Sequence, residues 1–137
     1  LRGMAFPAGV ADLQVAPELP TVYIDERQMS RVFINLFKNA WEAMQGVQAS
    51  PKLWVTVTHD SDPHFVLTQV RDNGPGIPAE VLDKIWVTFF TTKGQQGGTG
   101  LGLNASMAII NQTGGKIWAE SQAGQGATFS VLLPIAE

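Results

Sequence analysis

Cysteine is absent from this 137-residue chain, which excludes a disulfide framework and a thiolate metal centre and fits a reducing compartment. Long apolar runs are absent too. Nothing approaches the roughly 20 consecutive apolar residues of a membrane span, and the first residues lack the basic-then-apolar order of a signal peptide. Charge is sparse, with 9 Lys and Arg against 12 Asp and Glu for a net −3. No Lys/Arg cluster supplies the basic stripe of a nucleic-acid surface, so any anionic ligand must be held by local geometry. Internal repeats and low-complexity tracts are also missing.

What is present is apolar mass and glycine. With 45% hydrophobic residues, including 4 Trp and 7 Phe, the chain suits one globular domain that buries about two-thirds of its unfolded surface, with no room for a second. Its abrupt opening, LRGMAFPAG, reads as the start of an excised piece, so a longer parent protein is expected.

Along the chain, short strands are expected near 12–16 and 21–24, separated by Pro17 and Pro20, with Asp25 as a helix cap. From Glu26 to about Gln45, Met29, Phe33, Leu36, Phe37, Ala40 and Met44 recur at spacings of three and four and form one apolar stripe. KLWVTVTH and HFVLTQVR predict an antiparallel hairpin across DSDP. A short helix follows at roughly 79–86, then a polar, Gly-rich stretch to about residue 99 that is the candidate lid. A helix from about Leu101 to Gln112 stops at Gly114 and Gly115, and KIWAES and GATFSVLLP close as a second hairpin. This order predicts a two-layer α/β sandwich with helices on one face of a mixed sheet.

Three patterns carry chemistry. Gly97, Gly98, Gly100 and Gly102 crowd a helix entrance, which is either a loop running out or an anion site built from the free N–H groups of the first turn. Asn35, Asn39 and Glu42 fall opposite the apolar stripe at i, i+4 and i+7. That face is either solvated, with a Lys38–Glu42 pair of about 0.3 kcal/mol, or a ligand face whose neutral amide oxygens suit Mg²⁺ alongside phosphates and water. Finally, Gly74, Gly76 and Ala79 in DNGPGIP satisfy G-x-G-x-x-[GA]. The crossover helix, parallel strand and downstream acid of a dinucleotide fold do not follow, and no Walker A sequence is present. A plain turn also accounts for DNGPG.

Taken together, NLFKNAWEAM, DNGPGIP, FFTTKG, GGTGLGL and GQGATF resemble, in order and spacing, the ATP-binding domain shared by histidine kinases, DNA gyrase, Hsp90 and MutL. The resemblance runs from about residue 13 to the end. It is closest to the catalytic ATP-binding domain of bacterial two-component sensor histidine kinases of the nitrogen-regulatory type. It implies a Bergerat fold, a mixed sheet backed by three helices, with ATP between a long helix and a mobile lid. Asn39 matches the residue that holds Mg²⁺ between the phosphates, supported by Asn35. Asp72 matches the carboxylate that accepts the adenine amino group, Gly74 and Gly76 pass under the base, and Thr128 matches a threonine that supports it. Phe89 and Phe90 match the aromatic root of the lid, Lys93 meets the terminal phosphate, and Lys38 is a second candidate cation. Gly98, Gly100 and Gly102 line the phosphate channel, and Ile77, Thr99 and Leu101 lie in the same motifs.

The relatives that hydrolyse ATP carry a glutamate base where this chain has Asn35, and an amide cannot take a proton from water. The resemblance therefore favours a kinase over a clamp-type ATPase. It implies transfer of the γ-phosphate to a histidine on a separate dimerisation domain, then to a response regulator through that domain. It also implies a cytoplasmic setting, no membrane contact by this domain and no nucleic acid, while the parent protein is free to be membrane-anchored. His59 and His64 flank the predicted DSDP turn and read as solvated, not as the acceptor. Trp86, Val87 and Thr88 depart from the usual Phe, acidic residue and Pro, and Glu42 replaces a basic residue. A serine kinase of the anti-sigma type and a non-enzymatic nucleotide switch remain alternatives.

Overall fold

The computed structural model describes residues 9–22, 24–46, 50–86, 102–121 and 124–136. Helix α1 (Glu26–Met44) begins where Asp25 adopts an extended backbone and its carboxylate accepts the Gln28 N–H at 3.1 Å, satisfying one of the orphan donors of the first turn. The helix buries Met29, Val32, Leu36, Ala40 and Met44. Val32 therefore takes a central place in the stripe, while Phe33 and Phe37 stand at its margin, half-buried, with ring centroids 6.2 Å apart. A straight helix of 3.6 residues per turn selects i, i+3/i+4 and i+7/i+8, and the two phenylalanines lie about 100° off that line.

The strands are β1 (Ala11–Val15), β2 (Leu53–His59), β3 (Phe65–Asp72), β4 (Lys116–Ser121) and β5 (Ala127–Pro134), in spatial order β1-β2-β3-β5-β4. Among the described residues only the β1–β2 pairing is parallel. Along β3, Val66, Thr68, Val70 and Asp72 are buried, and their β5 neighbours on the same face are Leu133, Val131, Phe129 and Ala127. That face meets α1, the short α2 (Ala79–Leu82) and α3 (Gly102–Thr113), giving the two-layer mixed sandwich.

Among the described residues of the strand expected at 21–24, one bridge is formed, Val22 with Ile135. Pro17 and Pro20 interrupt the ladder there, and Glu18 takes a left-handed backbone, φ 58°. The helix expected at 79–86 ends at Leu82 and continues as turns, with Leu82, Ile85 and Trp86 still packed on the core. His59 and His64 are exposed at the β2–β3 turn, where the His64 ring meets Asp62 at 2.9 Å. The candidate lid lies outside the described residues, as do Phe89, Phe90, Lys93, Gly98, Thr99, Gly100 and Leu101.

Leu36 is fully buried between α1 and the sheet. Leu36→Ala is expected to lower the unfolding free energy by about 3 kcal/mol, measured in urea. A loss below about 1 kcal/mol would mean that the site collapses around the deletion.

Candidate functional site

The last residue of β3 is a carboxylate with almost no access to water. Asp72 is 4% exposed. Its Oδ1 accepts the Gly74 N–H at 2.8 Å, and the Ala127 N–H donates to the same carboxyl. Burial pushes the Asp72 carboxyl above the usual carboxylate range, while these two donors pull in the opposite direction. Burial wins because hydrogen bonds from two neutral amides do not replace the hydration that a carboxylate loses.

Glycine is required at one point around it and closely packed at another. Gly126 has φ +77°, and a Cβ there would collide with the Asp72 carbonyl oxygen. At Gly74 a Cβ would stand 3.0 Å from Asp72 Oδ1 and 3.4 Å from Met44 Cγ, so the loop, the carboxylate and the end of α1 converge. The loop itself is fastened from both sides. Asn73 accepts the Lys52 N–H at 2.8 Å and donates to the Ser50 carbonyl at 3.0 Å, so this asparagine anchors the approach to β2. On the other side the Ile77 N–H donates to Ser121 Oγ at 2.7 Å, and the Gly124 N–H to the Pro75 carbonyl at 2.8 Å.

The polar flank of α1 faces α3. Asn35 donates to Ser106 Oγ at 3.5 Å, and Ser106 is fully buried. A cleft lined by Ile24, Asp25, Gln112 and Thr113 joins the start of α1 to the end of α3, so the two helices run antiparallel. One turn onward along α1 from Asn35, and one turn back along α3 from Ser106, Asn39 comes level with Gly102 and the first turn of α3. The first turn of an α-helix presents N–H groups that have no intrahelical acceptor, at the positive end of the helix dipole. Asn39 is half-buried and Lys38 exposed. Among the described residues no group of three or more His, Cys, Asp or Glu converges as a metal centre.

Thr128, expected to support the base, stands on the sheet face opposite Asp72. It pairs in register with Arg71, whereas Ala127 and Phe129 share the face of Asp72. Side chains alternate along a strand, so a shift of one position transfers the role to the opposite face. The contact at the carboxylate comes instead from the Ala127 backbone. Sequence reasoning also passed over Ser106 and Ser121, whose donors Asn35 and Ile77 stand 71 and 44 positions away and leave no local pattern. Trp86, the first of the unusual residues at the lid root, packs edge-on against Phe129, centroids 6.0 Å apart at 72°.

Residues 24–137 match the family described as histidine kinase-, DNA gyrase B- and HSP90-like ATPase. The chain is 42% identical over 121 residues to the sensor protein FixL of Bradyrhizobium diazoefficiens, which covers 88% of this chain and 23% of that protein. It is 42% identical over 127 residues to the sensor kinase CckA of Brucella abortus, covering 85% and 13% respectively. It thus spans less than a quarter of either relative. Its fold is similar to the catalytic domain of histidine kinase ThkA, with a TM-score of 0.77 and 34% identity, covering 93% of this chain and 81% of that one. It is also similar to full-length ShkA, solved in complex with AMPPNP, with a TM-score of 0.75 and 26% identity over 93% of this chain and 26% of ShkA.

An acid whose pKa is raised on folding stabilises the fold fully below its unfolded value and loses that contribution as pH rises through the folded value. Denaturant titrations of wild type and Asp72→Asn should therefore diverge in the variant's favour as pH climbs from about 3 to 7. A gap that stays constant across that range would show the carboxyl to be unshifted.

Proposed function

Because the chain belongs to the histidine kinase-, DNA gyrase B- and HSP90-like ATPase family, with the fold of a histidine kinase catalytic domain, we propose that it binds Mg-ATP and donates the γ-phosphate to a histidine on a separate dimerisation domain. The observation that carries this reading is the buried Asp72 carboxylate. Two N–H donors hold it at the end of β3 and leave acceptor capacity for a ligand donor. An adenine amino group supplies that donor. Guanine presents a carbonyl oxygen at the same place, and two facing acceptors leave a buried group unpaired at roughly 1 to 3 kcal/mol.

From the base, Gly74, Gly76 and Ile77 form the floor, and the triphosphate runs towards α3. There the N–H groups at Gly102, together with Gly98, Thr99, Gly100 and Leu101, receive the phosphates. The Asn39 amide oxygen, a neutral hard donor level with that turn, suits Mg²⁺, which takes its other ligands from phosphate and water. Bound there, the ion would neutralise phosphate charge. Asn35 fixes α1 against α3 through Ser106 and cannot act as a general base, which favours transfer over hydrolysis. Lys93 and Phe90 complete the phosphate side, with Lys38 as a weaker candidate. The acceptor histidine comes from another domain, since His59 and His64 stand at an exposed hairpin turn.

In this reading the chain is one ATP-binding domain of a longer sensor kinase. Its partners are its own dimerisation domain and, through it, a response regulator, in the cytoplasm. Among the described residues no helix is long and apolar enough to cross a membrane.

Calorimetric titration with a non-hydrolysable ATP analogue tests the site. Asp72→Asn is expected to weaken binding at least tenfold, and Asn39→Ala to abolish the gain that Mg²⁺ brings. Labelled ATP and a supplied histidine-containing helical domain should then yield phosphohistidine. Binding without transfer would favour a non-enzymatic switch, and steady phosphate release by the chain alone would favour an ATPase.

A further inference from the structure

The loop from Asn73 to Ile77 and the start of β5 are distant in sequence, yet one side chain ties them together. Ser121, the last residue of β4, accepts the Ile77 N–H at 2.7 Å and donates to the Gly126 carbonyl at 2.8 Å. Chemistry fixes the direction. An amide N–H only donates and a carbonyl only accepts, so the bridging group must do one of each, and a hydroxyl with one hydrogen and two lone pairs does so.

Both anchored groups border Asp72. Ile77 closes the glycine loop that opens with Gly74, whose N–H binds the carboxylate. Gly126 lies so close beneath the Asp72 carbonyl that no Cβ fits, and the next N–H, that of Ala127, also reaches the carboxylate. The two donors on Asp72 thus belong to segments that Ser121 holds at a set distance. The Gly124–Pro75 backbone bond adds a second bridge, but it lies beyond Gly126 and does not touch Ile77.

We infer that Ser121 is a positioning residue for base selection. Its hydroxyl sets the spacing of the glycine loop and the start of β5, and so aims the free lone pairs of Asp72 at the purine edge. The inference rests on the reading of Asp72 as the adenine acceptor. Without the hydroxyl the two segments part, Asp72 gains freedom to rotate, and discrimination between an amino group and a carbonyl on the ring declines. Contacts to the phosphates, held at the α1–α3 seam, do not depend on it.

The test is calorimetric titration of the chain with non-hydrolysable ATP and GTP analogues in Mg²⁺, using wild type, Ser121→Ala, Ser121→Cys, Ser121→Thr and Asn39→Ala. Ser121→Ala should reduce the ATP-over-GTP preference about tenfold, the worth of one buried hydrogen bond, and Ser121→Thr should restore it. Asn39→Ala should weaken both analogues and leave the ratio intact. Ser121→Cys keeps a small side chain with a weak S–H donor, so it reports on the same loss if the alanine variant fails to fold. A merely structural role would lower thermal stability and both affinities together. An unchanged ratio in a folded Ser121→Ala or Ser121→Cys therefore overturns the inference and leaves the adenine reading standing. A folded wild type without preference for ATP overturns both.

Discussion

A carboxylate removed from water at the end of β3 is the constraint from which most of the arrangement follows. Asp72 needs donors, and among its immediate neighbours it has the N–H groups of Gly74 and Ala127. The first is two residues away and needs only a tight turn. The second is 55 positions away and needs β5 inserted between β3 and β4, the strand order observed. It also needs the β5 entry to pass directly under the Asp72 backbone, which is why residue 126 has no side chain. Sheet order, loop composition and the hairpin before β5 are thus separate consequences of hydrogen-bonding one buried acid.

Helix α1 connects that acid to the other end of the site. Successive residues differ by about 100° around a helix, so neighbouring positions serve different surroundings. Leu36 and Ala40 enter the core, Asn35 one step before turns to α3, and Phe37 one step after lies at the opposite margin of the buried stripe. At its C-terminal end Met44 packs against the glycine loop beside Asp72. A single rigid element therefore links the glycine loop beside the carboxylate to the seam with α3. The apolar stripe gives the helix its stability, and the amides are carried on it.

Period-based features were legible in the sequence because period is a local property. The β2–β3 hairpin, the body of α1 and the closing hairpin emerged within one or two residues of their observed bounds. What failed depended on phase or on distant partners. Thr128 was assigned from its place in GQGATF, but a strand reverses face at each residue, and the ladder with Arg71 puts Ala127 beside the acid instead. The 21–24 strand had suitable residues, and its described residues form one bridge, Val22 with Ile135. Ser106 and Ser121 look like any small polar residue until the chain folds, because Asn35 and Ile77, whose groups they accept from, lie 71 and 44 positions away. The glycines before α3, with Lys93 and the aromatic pair, fall outside the described residues, so their roles rest on the motif.

Two adjacent residues of one motif show why a motif alone does not reveal mechanism. Asn73 spends its amide on Ser50 and Lys52, joining the loop to β2, and each bond favours the fold. Asp72, one position earlier, is shifted in the direction that makes its ionised form a burden on the fold. Stability alone would favour a neutral side chain at Asp72 and gives no reason for a charged one. Among the described residues the buried acid keeps only two backbone donors, from Gly74 and Ala127, whereas the asparagine beside it is placed by what it holds together. Ser121 belongs between these cases, since its bonds stabilise the fold while their geometry decides where the acid points.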